Sequence, residues 1–158
     1  MKPRKFTLAL LSSAVIGAGA FAPAALAASA KVETLPQLPP ETVQGAVRYV
    51  SGGIGHSEAR AFEHARDRYP LSLEFALKAK PRDEFTADVR VSIRNADGKV
   101  ALLAMSQGPF LLAKLPAGIY DVKATHEGKT LERHVNVVED KHAHLTFVWP
   151  KDHARQNG

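Results

Sequence analysis

The chain has no cysteine among its 158 residues. Disulfides are thereby excluded, and so is lipid attachment at a lipobox. An oxidising compartment permits disulfides without requiring them, so this absence is compatible with export. An excess of one charge is missing too, once the N-terminal segment is set aside. The sequence carries +5 overall, from 21 Lys and Arg against 16 Asp and Glu. Lys2, Arg4 and Lys5 lie in that first segment and no acid does, which leaves the rest at +2. The rest also lacks a polybasic run and arginines interleaved with exposed aromatics, so no nucleic-acid partner is expected. After the N-terminal run, no segment is apolar for the roughly 20 residues that a membrane span needs.

What is present begins with a leader. The basic residues Lys2, Arg4 and Lys5 precede an apolar run from Phe6 to Ala20, and Ala25-Leu26-Ala27 follows Pro23. This is the layout of a secretory signal peptide, with small side chains at the two positions the peptidase reads. Cleavage is expected after Ala27, with Ala28-Ser29-Ala30 as a second option, and the mature protein is expected in the periplasm. About 130 residues then remain, enough for one core. Residues 28–46 contain Pro36, Pro39 and Pro40 and few large apolar side chains. That composition predicts an extended linker, followed by a domain over 47–150 and a polar tail over 151–158.

Within the domain the hydrophobic period changes once. Val47 to Val50 reads as a short strand, and Ser51-Gly52-Gly53-Ile54-Gly55 as a flexible turn. Ala59, Phe62, Ala65 and Tyr69 then recur at helical spacing. They predict a helix over 58–68, capped by Ser57, stopped by Pro70, and lying on the outside of the domain with Phe62 as its anchor. From Leu71 the period is two. Leu71, Leu73, Phe75 and Leu77 alternate with Ser72, Glu74, Ala76 and Lys78, and Val89, Val91 and Ile93 alternate with polar residues. Such alternation predicts strands with one buried and one wet face. In Val100 to Met105 both alternating sets are apolar, so the facing stays open. Turn residues recur at Asn95-Ala96-Asp97-Gly98, Gln107-Gly108-Pro109, Pro116-Ala117-Gly118 and His126-Glu127-Gly128-Lys129. Short strands at this spacing predict a mainly β protein: an antiparallel sandwich of about seven strands with one helix.

The stretch Leu115-Pro116-Ala117-Gly118-Ile119-Tyr120-Asp121-Val122-Lys123-Ala124 resembles a signature of carboxypeptidase regulatory-like domains, which share a transthyretin-like sandwich. Ala87 to Val91, the Asp97-Gly98 turn and Gly108-Pro109-Phe110 fit the same order, so the likeness covers about Leu71 to Trp149. The whole exported chain is similar to small exported proteobacterial proteins carrying this domain. The resemblance implies the fold, with the Tyr120 ring buried and its hydroxyl reaching backbone.

Catalysis is not expected. The zinc carboxypeptidases that such domains accompany use a His-x-x-Glu pair, which this chain lacks. The related hydroxyisourate hydrolases end on Tyr-Arg-Gly-Ser, where this chain reads Thr146-Phe147-Val148-Trp149-Pro150. Gly53-Ile54-Gly55 is no dinucleotide fingerprint, since its third glycine position holds Glu58. Gly128-Lys129-Thr130 is no phosphate loop, since Lys123 stands where the first glycine belongs. The function expected is a periplasmic binding or accessory module that uses an edge or end of the sandwich to hold an envelope protein or ligand. The alternative is a metal site. His142 and His144 share one strand face, and if Glu139-Asp140-Lys141 closes a hairpin, His134 joins them. Three imidazoles suit Cu, Zn or Ni.

Overall fold

The structure is a computed structural model describing Gln37 to Lys151. The expected leader, residues 28–36 of the expected linker and residues 152–158 lie outside the described residues. Strands β1 (Thr42–Gln44) and β2 (Val47–Gly52) precede helix α1 (His56–Ala65), which continues as a 3-10 turn over Arg66–Arg68. Then follow β3 (Leu71–Lys78), β4 (Glu84–Phe85), β5 (Val89–Asn95), β6 (Val100–Ser106), β7 (Phe110–Lys114), β8 (Gly118–His126), β9 (Lys129–Val137) and β10 (Ala143–Pro150). One sheet has the order β1-β2-β7-β3-β10, with β4 also on β3, and the other has the order β6-β5-β8-β9. The two sheets form the expected β-sandwich.

Alternation decides the core between the sheets. Leu71, Leu73 and Phe75 of β3, Val89, Val91 and Ile93 of β5, and Val122 and Ala124 of β8 are all fully buried in one cluster with Phe147 and Trp149. Tyr120 belongs to it, and its hydroxyl donates a 2.9 Å hydrogen bond to the Pro116 carbonyl. The Asn95–Gly98 turn is built by the Asn95 side chain, whose Oδ1 accepts from the backbone N–H of Asp97 and of Lys99. The open question about β6 is resolved: Leu102, Ala104 and Ser106 face inward, while Val100, Leu103 and Met105 are exposed.

Several expectations are corrected. Among the described residues there are ten strands, and one of them, β1, forms inside the proline-rich stretch and pairs with β2. The sheets are antiparallel except for β3 and β10, which run parallel. The helix starts at His56, with Gly55 (φ 86°) in the cap position and no side-chain cap from Ser57, which sits in the first turn. It lies on the outside of the sandwich, as its narrow stripe predicts. Phe62, fully buried, stacks on Phe110 at 5.8 Å in a second apolar cluster with Val50, Ala65, Tyr69 and Leu112. That cluster covers part of the outer face of the six-stranded sheet, and on that face of β3 Ser72 and Ala76 are 2% and 3% exposed, while Glu74 is partly open and Lys78 exposed.

Candidate functional site

The helix covers only part of that outer face. Strand register sets Val50 opposite Leu112, Leu112 opposite Ser72, and Ser72 opposite His144, in one row across four strands. Val50 and Leu112 lie in the cluster with the helix. Ser72 and His144 continue the same row towards the edge strand β10.

At this spot two imidazoles converge on one hydroxyl. Ser72 Oγ lies 2.7 Å from His144 Nδ1 and 3.1 Å from His142 Nε2. The two rings stack at 6.4 Å between centroids. The other nitrogen of each ring is also engaged. His142 Nδ1 lies 2.8 Å from the Tyr69 carbonyl, and His144 Nε2 lies 3.2 Å from Thr146 Oγ1 and 3.7 Å from Glu74 Oε2. A carbonyl can only accept, so His142 carries its proton on Nδ1 and presents a lone pair on Nε2. The Ser72 hydroxyl then donates to His142, and neutral His144 donates from Nδ1 to Ser72. Burial lowers the pKa of His144, outweighing the attraction of the Glu74 carboxylate, so the neutral ring is favoured.

Ser72, His144 and Glu74 have the composition of an acyl-transfer triad, but the geometry does not suit one. The hydroxyl is held between two rings on a residue 2% exposed, and the carboxylate is beyond hydrogen-bonding distance of the imidazole. A nucleophile must instead be open to an approaching carbonyl.

The third expected ligand, His134, lies elsewhere. Strand β9 pairs with β8 in the four-stranded sheet, whereas β10 pairs with β3 in the other sheet. Residues 138–142 therefore cross between sheets, and the hairpin that would set His134 beside His144 does not form. His134 instead faces Asp121 across the β8–β9 pair, with Nδ1 2.5 Å from Oδ1. Asp121, Glu132 and His134 offer ligand atoms within 4.8 Å of one another, but Glu132 is already paired with Lys123 at 3.4 Å. Nothing in the sequence singled out Ser72. Its alternation with Leu71 and Leu73 read as a solvated face, and only the parallel β3–β10 pairing sets it opposite His144.

A second feature lies at the far edge of the four-stranded sheet. Leu103 and Met105 on β6 are 52% and 48% exposed, and with Arg90 and Ala104 they line an open groove of about 360 Å³. The Gln44 side chain reaches this edge from β1. Its Nε2 donates to the Leu103 carbonyl at 3.0 Å, and its Oε1 accepts from the Leu103 N–H at 2.6 Å. The side-chain amide thus makes both bonds that the backbone of a neighbouring strand would make.

No protein-family model matches the chain, and no curated protein matches it significantly.

Proposed function

We propose that this protein is an exported, periplasmic, non-catalytic binding module that holds an extended segment of an envelope partner along the β6 edge. The observation that carries this reading is the two-way hydrogen bonding between the Gln44 amide and the Leu103 backbone. A primary amide is a small replica of a peptide group, and its capture supports reading this edge as one that accepts backbone. Strand addition uses such backbone bonds for affinity and side-chain contacts at alternate positions for selectivity. Leu103 and Met105 supply an apolar row for those contacts, with Arg90 beside them as a cation for an acidic side chain. The leader, with Ala25-Leu26-Ala27 at its end, supports export, and the resemblance to regulatory-like domains supports an accessory role. Among the described residues no helix is long and apolar enough to cross a membrane.

A displayed library of random peptides, panned on the mature protein, tests the reading. The expected winners alternate apolar and polar residues and lose binding to a Met105→Lys variant. Gln44→Ala is expected to tighten their binding severalfold, because the competing amide is gone. Winners that bind Met105→Lys as well as the parent protein would overturn the assignment.

A further inference from the structure

We infer that His142 and His144, with the Ser72 hydroxyl between them, form a binding site for one divalent transition-metal ion of the zinc class. The inference does not rest on the strand-addition reading, because the site lies on the six-stranded sheet and β6 belongs to the other.

The argument begins with spacing. A zinc ion binds nitrogen and oxygen ligands at about 2.0–2.2 Å, so in a tetrahedral shell neighbouring ligand atoms lie roughly 3.3–3.5 Å apart. Ser72 Oγ is 3.1 Å from His142 Nε2 and 2.7 Å from His144 Nδ1. Opening these separations by about 0.2–0.8 Å makes room for the ion, and β10 is an edge strand with a neighbour on one side only. A fourth ligand is close by: Asp67 Oδ1 lies 4.0 Å from His142 Nε2, on a side chain 78% exposed that also meets Arg66 Nε at 3.8 Å.

Orientation is the second strand of evidence. Histidine ligands usually donate their other ring N–H to a carbonyl or carboxylate, which fixes the ring and the tautomer. His142 has this arrangement already, with Nδ1 committed to the Tyr69 carbonyl and the Nε2 lone pair facing Ser72. His144 can adopt it without gaining or losing a proton overall. Without metal its proton lies on Nδ1, towards Ser72. With metal on Nδ1 the proton moves to Nε2, where Thr146 Oγ1 at 3.2 Å accepts it in a hydrogen bond and the Glu74 carboxylate lies just beyond at 3.7 Å. The same residues are predicted to take Cu(II) more tightly than Zn(II), following the general order of affinities for nitrogen and oxygen sites.

The tautomer shift is the distinguishing readout. The mature protein labelled with 15N is titrated with zinc chloride at about pH 7.5, where imidazole is free to coordinate. Binding is expected at one ion per chain by calorimetry, with the His144 proton moving from Nδ1 to Nε2 in the nitrogen spectrum. His142→Ala and His144→Ala are each expected to weaken binding by at least about 10-fold, the lower end of what loss of a supporting partner alone costs. His134→Ala is expected to change nothing. If either histidine variant fails to fold, the spectrum of the unsubstituted protein decides. Saturating zinc that leaves the His142 and His144 nitrogens unshifted, or affinity that survives His144→Ala, overturns the site.

Discussion

The Tyr69 hydroxyl donates a 2.7 Å hydrogen bond to Oε1 of Glu41 and so ties the segment ahead of β1 to the residue that closes the helical region. Lys114 of β7 completes the arrangement. Its ammonium lies 2.7 Å from the same carboxylate oxygen and 5.1 Å from the centre of the Tyr69 ring. Three distant stretches of chain meet at one carboxylate, which predicts how stability responds to pH. The bonds from Lys114 and then Tyr69 hold the Glu41 carboxyl below its ordinary value of 4.5. A depressed folded-state value means that the stabilisation is complete above the ordinary value and is lost as pH falls through the lowered one. Urea midpoints measured between about pH 3 and pH 6 should therefore fall less steeply in Glu41→Gln than in the parent protein. Parallel curves would show that the carboxylate does not carry the effect.

The alkaline side has the opposite sign. Burial, with the Glu41 carboxylate second, pushes Tyr69 from 10.0 to about 12. A raised folded-state value means stabilisation that is complete below the ordinary value and lost as pH climbs through the raised one. Melting temperature should drop between about pH 10 and pH 12, and Tyr69→Phe should flatten that drop.

Tyr120 permits a separation of ring from hydroxyl. Its ring is in the main core and its hydroxyl bonds the Pro116 carbonyl. Tyr120→Phe should cost about 1 kcal/mol, the net value of one hydrogen bond. Tyr120→Ala should cost about 3–5 kcal/mol, the range for truncating a large buried side chain. Denaturant titration checks both, and equal losses would mean that the ring contributes little.

Two glycines should respond differently to alanine. A Cβ on Gly108 would lie 2.2 Å from the Gly52 carbonyl oxygen, a backbone atom that cannot turn aside. Gly98, with φ 77°, has open space around the same position and carries only the strain of its backbone angle. Gly108→Ala should therefore be the more damaging, by about 1–3 kcal/mol as for an overpacked interior. The ordering of their melting temperatures checks it.

The candidate site shows where sequence reasoning stops. The spacing of two brings His142, just ahead of β10, and His144 to the same hydroxyl, which is local geometry. Their partners are not legible in that spacing, because partners depend on which strand lies alongside. The choice of His134 assumed that neighbouring strands in sequence pair in space. The residues after Val137 instead cross to the other sheet, bringing Ser72 to His144 and leaving His134 with Asp121. Ser72 carried no signal in the sequence, since a serine between two leucines reads as solvated surface until something covers it.

The sequence by itself determined the strands of the main core, the turns between them and the amphipathic helix with Phe62 as its anchor. Each follows from side-chain periodicity and turn chemistry over fewer than about ten residues. Only the tertiary structure decided that Ser72 and Ala76 on the outer face of β3 are buried, that β10 runs parallel to it, and that Gln44 reaches Leu103 on the opposite sheet. These depend on how covered surfaces and unpaired strand edges are matched across long separations in the chain. Many arrangements satisfy the same local alternation, and packing of the whole selects among them.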